Sequence, residues 1–509
     1  MSLQVRNRRC VSLIALCATF ALAGCDLTWE KPDPAIPPPD RFRAAAPKSA
    51  PSFHCAHDFV ERFGSLELTR VIDEALTGNN DIAAAVARIA EADAQARVSS
   101  APLFPTLSNV NNFERFQVPS TVVGGVGATG GQAAGAAAAS NPYGATRIDY
   151  FSLGLNASYT LDIWGMNQDA SKAARLLANA SRFDRQVVEI ATVASALNSY
   201  FAVLNAQDQL RIVNENARIA GKVLTALKAR REVGLATVLD VAQQQTVYDT
   251  QLAMIPPLQQ TLAQQINLLA VLLGRTPESF SIQGTTLKSL HFPKIEPGLP
   301  SEVLLRRPDV AEAEARLASQ EFSVLQARAA FFPQIQLTGA YGVESIVWRN
   351  LATPQAIAWQ VLAATTQPLL DGWSLQGQYE LQKGKYSELA ANYRKQTLTA
   401  LSDTENALIA IAQTQRHLSL QEDSVASARQ ALTAAQARLS EGTIDIVTLA
   451  TNETAYFQGQ LVLEQVRLAR FQAATTFYQA LGGGWSPTTR EAEIARADAA
   501  YEADRGPWP

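Results

Sequence analysis

Long stretches of this chain place apolar residues at helical spacing. Between Met166 and Val233 the sequence has no proline and one glycine, and from Leu369 to Ser486 it has no proline. This pattern predicts very long helices, of about 100 Å for the first at 1.5 Å per residue. Shorter helices are predicted from Leu66 and, after the polar break at residues 79–81, up to about Ser99. Apolar positions of the first long helix follow a heptad-like spacing: Val187, Ile190, Val193, Leu197, Tyr200 and Leu204.

Four other segments alternate apolar and polar residues and predict β-strands. One opens at Pro105, a second covers 148–163, a third opens at Pro333, and a fourth covers 357–369. Strands of about 10 to 14 residues are long enough to cross a bilayer at a tilt. Four strands, however, do not close a membrane-spanning barrel, and a sheet edge exposed to lipid leaves backbone groups unpaired. The strand count therefore predicts that several chains share one barrel, with a soluble β-sandwich as the alternative.

The second half of the chain repeats the first at a fixed offset of 208 residues. Without a gap, residues 233–274 align with residues 441–482. The matched glycines mark turns between long helices, because glycine permits the positive φ that a helix C-terminus commonly needs. The matched pairs are Gly234 with Gly442, Val238 with Ile446, Tyr248 with Tyr456, and Gly274 with Gly482.

The N-terminus predicts export and a lipid anchor. Residues 1–24 have a positive start with Arg6, Arg8 and Arg9 and then an apolar run, as in a secretory signal peptide. The run ends in Leu-Ala-Gly-Cys at residues 22–25, which resembles the lipobox of bacterial lipoproteins. That resemblance implies cleavage before Cys25, with an N-acyl chain on its amino group and S-diacylglycerol on its thiol. An ordinary signal peptide is the alternative, and Asp26 leaves inner-membrane retention open.

Composition and charge exclude several classes of protein. The chain has 43 Lys and Arg against 47 Asp and Glu, which argues against a nucleic-acid binder. The sequence has no nucleotide-binding loop, and we expect no enzyme. His54, Cys55 and His57 form the only His/Cys cluster, but a metal site usually needs three or four ligands in fixed geometry. We therefore expect no metal and no cofactor other than the covalent lipid.

Several motifs together carry a family resemblance, which covers about residues 25–486. The chain resembles the outer-membrane lipoprotein component of tripartite efflux pumps, in the TolC-like (NodT) family. The motifs are LPSEVLLRRPDV at 299–310, ARAAFFP at 327–333, LDIWG at 161–165, PLLDG at 368–372 and ALGGGW at 480–485. The resemblance implies a mainly α homotrimer in the outer membrane. In it, four strands per chain build a twelve-stranded transmembrane β-barrel, continued by a long periplasmic α-helical barrel.

The resemblance also implies the role and the partners of the chain. It would be the passive exit duct for small molecules such as drugs, joined by a periplasmic adaptor to an inner-membrane pump, most commonly of the RND type. A duct for type I secretion of proteins and a non-transporting envelope lipoprotein scaffold are the alternative functions. The transported substrate is not predicted, because in this architecture the pump selects the cargo.

The resemblance also implies that the Gly234 and Gly442 turns lie at the periplasmic tip and carry the gate and the adaptor contact. Threefold symmetry turns one side chain into a ring of three, and such rings filter ions or close a pore. Thr448 and Thr451 stand where relatives often carry carboxylates. Solvated helix-turn carboxylates are the structural alternative to a gate. The predicted gate residues are Asp240, Asp445, Leu239 and Val447. The predicted adaptor contacts are Val233, Gly234, Leu235, Glu441, Gly442 and Thr443.

These predictions divide the chain into six segments and leave some motifs with a structural interpretation. Asp309 and Glu312 fit a capping box, Arg306 and Arg307 favour a scaffold ion pair over a phosphate site, and two consecutive prolines at 256–257 predict a bend. The Ala/Gly-rich loop 122–146 is expected outside the cell. The segments are a signal peptide (1–24), an anchor and Pro-rich tether (25–58), a first repeat (59–274), a linker (275–298), a second repeat (299–486) and a charged tail (487–509).

Overall fold

The computed structural model describes residues 29–39, 41–43, 56–118, 146–284, 286–293, 300–485, 492, 494–496 and 499. The signal peptide, Cys25, Asp26, His54, Cys55 and nearly all of the loop 122–146 lie outside these residues. The chain forms two compact units. One contains Arg97–Ala173 and Gln320–Ala390, and the other contains Ala35–Ala96, Ala174–Ser319 and the described residues from Ala391 onward.

The predicted helices are confirmed, and the two halves match in helix length. The helices α4 and α8 have 67 residues each, and α5 and α9 have 35 residues each. Within each pair, the two helices begin 208 residues apart and end 208 residues apart, as the repeat predicts. The helices are α1 (Ala56–Glu61), α2 (Leu66–Gly78), α3 (Asn80–Ser100), α4 (Met166–Glu232), α5 (Val238–Leu272), α6 (Pro300–Leu305), α7 (Pro308–Ala329), α8 (Ser374–Ser440) and α9 (Ile446–Ala480).

Polar caps set the bounds of the short helices. The Ser65 hydroxyl accepts a hydrogen bond from the Leu68 backbone N–H at 3.2 Å, which caps α2. The Asn79 side chain accepts from the backbone N–H of Asp81 at 2.8 Å and of Ile82 at 3.1 Å, so it caps α3. The break predicted at residues 79–81 therefore lies where the sequence places it.

The predicted capping box in α7 was wrong. This helix begins at Pro308, so Asp309 lies inside its first turn rather than at the N-cap. The Asp309 carboxylate binds the Arg307 guanidinium, and the Glu312 carboxylate binds Arg316. Both acids thus pair with cations, and the Asp309 carboxylate also accepts from the backbone N–H of its neighbour Val310 at 2.9 Å.

The four strands form one antiparallel sheet in the order β1-β2-β3-β4. Odd-numbered residues pair with odd-numbered ones in all three ladders. Strand β4 ends three residues before the predicted Leu369, and Pro368 lacks the N–H that a ladder needs. Within the described residues, β1 and β4 each have one neighbouring strand. The strands are β1 (Thr106–Val118), β2 (Thr146–Leu161), β3 (Gln334–Ser345) and β4 (Ile357–Thr366).

The helices of the second unit pack around an aromatic core. Phe201 lies 5.3 Å from Phe63 and 5.1 Å from Phe471 between ring centroids, and all three rings are buried. In the described part of the chain, α4 is the one helix long and apolar enough to cross a membrane. More than half of its apolar stretch is buried inside the protein, as is common for a core helix. Helix α5 continues through Pro256 and Pro257.

Candidate functional site

The two predicted tip turns have the same backbone geometry. In the α4–α5 turn, the Gly234 N–H donates to Arg231 O at 3.0 Å and the Leu235 N–H donates to Arg230 O at 2.8 Å. In the α8–α9 turn, the equivalent bonds run from Gly442 to Leu439 at 3.1 Å and from Thr443 to Arg438 at 2.9 Å. Both glycines have positive φ, 79° and 74°, as the sequence predicts for a helix C-terminus.

Both predicted acidic gate residues lie at helix N-termini, in different capping positions. Thr237 caps α5, and Asp240 completes a capping box by accepting from the Thr237 backbone N–H at 2.7 Å. Asp445 is itself the N-cap of α9 and accepts from the Thr448 backbone N–H at 2.8 Å. Hydrogen bonds from the Thr448 side chain and backbone lower the pKa of Asp445, so this exposed carboxyl is charged at neutral pH.

The apolar residues of the predicted site face solvent in a single chain. The exposed fractions are 69% for Val233, 76% for Leu235 and 64% for Leu239, against 49% for Val447. Most of this exposed apolar surface belongs to the first turn. Apolar side chains grouped on a surface commonly mark a contact with another molecule.

A small core holds the two turns side by side. Leu224 and Leu227 of α4 and Val241 of α5 pack with Leu432, Ile446 and Leu449 of α8 and α9. The Arg230 guanidinium donates to the carbonyl oxygens of Leu439 and Ser440, at 3.3 Å each, and so caps the end of α8 from the other hairpin. Sequence reasoning missed this role, although an arginine in a last helical turn is a general signal for carbonyl capping.

A buried polar pair joins α5 to α9 above this core. The Gln244 Nε2 donates to the Glu453 carboxylate at 2.8 Å and to Ala220 O at 3.2 Å. Gln244 and Glu453 are each 0% exposed. Neither residue was predicted, because only the folded packing shows that this glutamate is buried.

Arg307 of the RRP motif at 306–308 forms a buried ion pair, as predicted. The Arg307 guanidinium binds the Asp309 carboxylate at 2.6 and 3.0 Å and the Asp403 carboxylate at 3.2 Å. It also donates to Ala480 O at 3.3 Å, next to the glycine-rich end of the second repeat. Trp485, at that end, is buried against Phe183 with ring centroids 5.8 Å apart. Both motifs therefore stabilise the helical unit.

Among the described residues, no group of three or more His, Cys, Asp and Glu side chains is placed to hold a metal ion. Of the predicted His/Cys cluster, only His57 is described, and its ring lies 2.9 Å from the Glu61 carboxylate and 3.6 Å from that of Asp73.

Comparison with known proteins identifies the family. The model of the family described as outer membrane efflux protein matches residues 71–275 and 299–483. The chain is 33% identical to the pyoverdine export outer membrane protein OpmQ of Pseudomonas aeruginosa, over 93% of this chain and 97% of that protein. It is 27% identical to the cation efflux system protein CusC of Escherichia coli strain K12, over 93% and 99%.

Solved structures show the same fold. A crystal structure of CusC has a TM-score of 0.76 at 25% identity and covers 90% of this chain and 99% of that one. The Campylobacter jejuni CmeC outer membrane channel has a TM-score of 0.81 at 19% identity, covers 93% and 99%, and supports the fold alone. The predicted fold class and the outer-membrane location are confirmed. The chain therefore belongs to the outer membrane efflux protein family, a family of transport channels, and serves as an outer-membrane exit duct for efflux.

Proposed function

We propose that this chain works as a homotrimer, lipid-anchored through Cys25, that conducts small molecules out of the cell in a tripartite efflux pump. A periplasmic adaptor and an inner-membrane pump of the RND type complete the assembly. The duct is passive, and the pump supplies the energy and selects the cargo.

The open sheet is the observation that supports the proposed homotrimer. Strands β1 and β4 form the two edges of a four-stranded sheet, and residues such as Trp359 and Val361 on β4 are more than 70% exposed. In lipid, each unpaired backbone N–H or C=O of an edge strand costs several kcal/mol. Three copies that join edge to edge satisfy these groups and give a closed barrel of twelve strands.

The tip turns are the proposed contact for the adaptor. The first turn exposes Val233 and Leu235, and the second turn exposes Glu441 and Thr443. An apolar patch beside polar positions is typical of an interface between proteins. The adaptor's matching surface therefore combines apolar side chains with groups that bind a carboxylate.

The same turns are the proposed gate. Three copies of Asp445 form a ring of negative charge, and Asp240 adds a second carboxylate in each chain. Such a ring attracts cations and resists dense packing of the three tips. Leu239 and Val447 supply the apolar surface that closes the pore when the tips approach.

The cargo class follows from the architecture and the relatives. OpmQ is named for pyoverdine export and CusC for cation efflux. We propose that this duct, too, passes small molecules, including drugs and chelators, without a binding site of its own.

The mass of the particle tests this proposal. The full chain is extracted with a mild detergent from outer membranes separated by density. We expect a particle of three chains that carries acyl groups on Cys25. A monomer in the inner-membrane fraction would contradict the proposal and would favour a tethered envelope scaffold.

A further inference from the structure

The two faces of the sheet differ in polarity. On β2 the odd-numbered residues Phe151, Leu153 and Leu155 are apolar, and β3 has the same pattern. The even-numbered residues Ser152 and Asn156 between them are polar. Side chains of one parity share one face of the sheet, because all three ladders pair odd residues with odd ones. Membrane barrels direct the apolar face to lipid and the polar face to the lumen, so the odd-numbered face is directed to lipid.

One end of the sheet is joined to the helices, and the other end is not. Strand β1 begins six residues after α3 ends, and β2 ends five residues before α4 begins. The opposite end, at Val118 of β1 and Thr146 of β2, leads into the segment 119–145, whose sequence has no Asp, Glu, Lys or Arg. Since the helices of this family extend into the periplasm, the end at Val118 is the outer end of the sheet, at the cell surface.

Three aromatic side chains cluster near the outer end of the odd-numbered face. Phe113 and Phe151 lie directly opposite each other with ring centroids 4.8 Å apart, and Trp348 lies 5.5 Å from Phe151. From Phe151 to Leu161, where β2 ends, the strand is about 33 Å long, which gives a height of about 25 Å at a tilt of about 40°. Outer-membrane barrels have an apolar band of about this height, flanked by aromatic residues. The cluster therefore marks the outer boundary of the hydrocarbon.

The charged residues of the four strands all lie near the outer end, and they divide by face. Arg115, Arg147 and Asp149 are odd-numbered, whereas Glu114 and Glu344 are even-numbered. The face directed to lipid therefore has two cations against one anion, and the face directed to the lumen has only anions. This separation indicates that the outer rim of the lipid face attracts negatively charged groups.

An aspartate holds the first arginine in place. Arg115 and Asp149 lie directly opposite each other in the β1–β2 ladder. The guanidinium donates to both carboxylate oxygens, from Nε and, at 2.7 Å, from a terminal nitrogen. It also lies 5.9 Å from the centre of the Phe113 ring, beside the aromatic cluster. The Arg115 side chain is 64% exposed, so its remaining N–H groups are accessible to a ligand.

The second arginine lies diagonally across the same face. Arg147 is exposed and is paired with Gln117, two residues along β1 from Arg115. Diagonal neighbours of this kind are about 7–8 Å apart. Two guanidinium groups at this spacing reach one phosphate group from two sides, and the planar guanidinium matches the geometry of phosphate oxygens.

We propose that Arg115 and Arg147 bind the phosphorylated headgroup of a glycolipid in the outer leaflet of the membrane. This inference rests on the outer-membrane barrel of the proposed function and adds a lipid partner to it. The acyl chains of the glycolipid pack along the apolar face and against Phe113 and Phe151. The two guanidinium groups bind a headgroup phosphate just beyond these rings, and Asp149 positions the guanidinium of Arg115.

The position of the arginines relative to the aromatic cluster supports this ligand. An arginine on the lipid face near the bilayer midplane would cost about 2–4 kcal/mol, and near the interface about 0–1 kcal/mol. Arg115 and Arg147 lie beyond Phe113 and Phe151, toward the outer end of the strands. Both arginines are therefore at the level of the lipid headgroups, where a phosphate is within their reach.

Binding of lipopolysaccharide to the purified full-length protein tests this site. One sample contains lipopolysaccharide with its lipid phosphates, and a second contains the same material after enzymatic removal of those phosphates. We expect the wild-type protein to bind the phosphorylated form about tenfold more tightly, which corresponds to one charge-assisted hydrogen bond. Equal binding of the two forms by a particle of three chains would overturn the proposed site.

A double variant and a matched control identify the residues. Arg115→Gln with Arg147→Gln keeps polar side chains at both positions, and we expect the preference for the phosphorylated form to disappear. Glu114→Gln changes a charge at the same level on the opposite face, and we expect this control to keep the preference. A double variant that keeps the preference would also overturn the proposed site. If the double variant does not assemble, Arg147→Gln alone leaves the Arg115–Asp149 pair intact and is expected to weaken the preference.

Inorganic phosphate distinguishes the lipid headgroup from a free anion. Because inorganic phosphate has no acyl chains, we expect it to displace lipopolysaccharide only in large excess. Displacement at equal concentrations would overturn the glycolipid as the ligand.

The particle mass separates failure of this inference from failure of the proposed function. Each protein is sized in mild detergent before the binding measurement. A wild-type particle of three chains without the preference for phosphorylated lipid overturns the lipid site alone. A wild-type particle of one chain overturns the proposed homotrimer, and the lipid site with it.

Discussion

The side-chain amide of Gln244 donates a 2.8 Å hydrogen bond to the carboxylate of Glu453, and both side chains are fully buried between α5 and α9. Burial raises the pKa of Glu453, and the hydrogen bond from Gln244 only partly opposes this rise. One side-chain oxygen of each residue has no hydrogen-bond partner among the described residues. The hairpins near the tip are thus joined by a pair that is incomplete when the carboxyl is charged.

Replacing Glu453 by glutamine completes this pair. In Glu453→Gln the new amide group donates to the free oxygen of Gln244, and we expect about 1 kcal/mol of added stability at pH 7.5. Because the pKa of Glu453 is raised in the folded state, the wild type has its full stability below the unfolded pKa. The wild type loses the stabilising contribution of the protonated Glu453 as the pH rises through the folded-state pKa of this residue.

Thermal unfolding at pH 5 and pH 7.5 checks the Glu453 prediction. The advantage of the variant is expected to be larger at pH 7.5. The exposed tip residue Glu441, changed to glutamine, is the control, and we expect no gain in stability from it because its side chain lies in solvent. Destabilisation by Glu453→Gln at pH 7.5 would contradict the prediction.

The Arg307 ion pair is expected to dominate the stability of the helical unit. Burial alone would raise the pKa of Asp309, but the Arg307 guanidinium reverses this and holds that pKa below its ordinary value. Arg307→Ala leaves two carboxylates without their shared cation, and we expect a loss of about 3–5 kcal/mol in unfolding free energy. Chemical denaturation measures the loss, and Arg306→Ala is the control, expected to cost much less.

The pH dependence of the same ion pair has the opposite sign to that of Glu453. Because folding lowers the pKa of Asp309, its charged carboxylate stabilises the protein at pH values above the unfolded-state pKa. This contribution is lost as the pH falls through the folded-state pKa. The difference in stability between wild type and Arg307→Ala should therefore shrink in acid, below about pH 4. A difference that stays constant down to pH 3 would show that the ion pair is not its source.

Two glycines with similar φ are expected to tolerate alanine very differently. A Cβ at Gly482, where φ is 82°, would lie 1.9 Å from the Arg306 carbonyl oxygen. A Cβ at Gly442, where φ is 74°, meets nothing within 4 Å. Gly442→Ala is then expected to cost only about 1 kcal/mol, because alanine must adopt a positive φ. Gly482→Ala must in addition displace the backbone at Arg306. Similar melting temperatures for the two variants would contradict this.

Two substitutions separate the effect of the charge of Asp445 from the effect of its capping of α9. Asparagine caps helices as well as aspartate does, so Asp445→Asn removes the charge of the proposed ring and keeps α9 intact. Asp445→Ala removes both and costs about 1 kcal/mol of helix stability in addition. We expect both variants to reduce cation preference and to loosen the closed channel in planar bilayers. A gate role would be excluded if Asp445→Asn conducts like the wild type.

The local pattern of residues in the sequence was sufficient to predict the helices, the strands and the internal repeat. The helical spacing of residues 166–233, the absence of prolines and the matched Gly234 and Gly442 predicted helices and turns that the structure confirms. Alternating residues predicted all four strands, although β4 ends at Thr366. These features depend on backbone preferences within a few residues, which a sequence contains directly.

The sequence did not show which side chains meet across the fold. Nothing in the pattern distinguishes the buried Glu453 from the exposed Glu441, because burial depends on neighbours more than two hundred residues away. The capping box at Asp309 was wrong for the same reason, since Arg307, held against Asp403 and the end of α9, takes up that carboxylate. Sequence thus determined the elements and the two halves, whereas tertiary packing decided the partners and therefore the charge states of the buried groups.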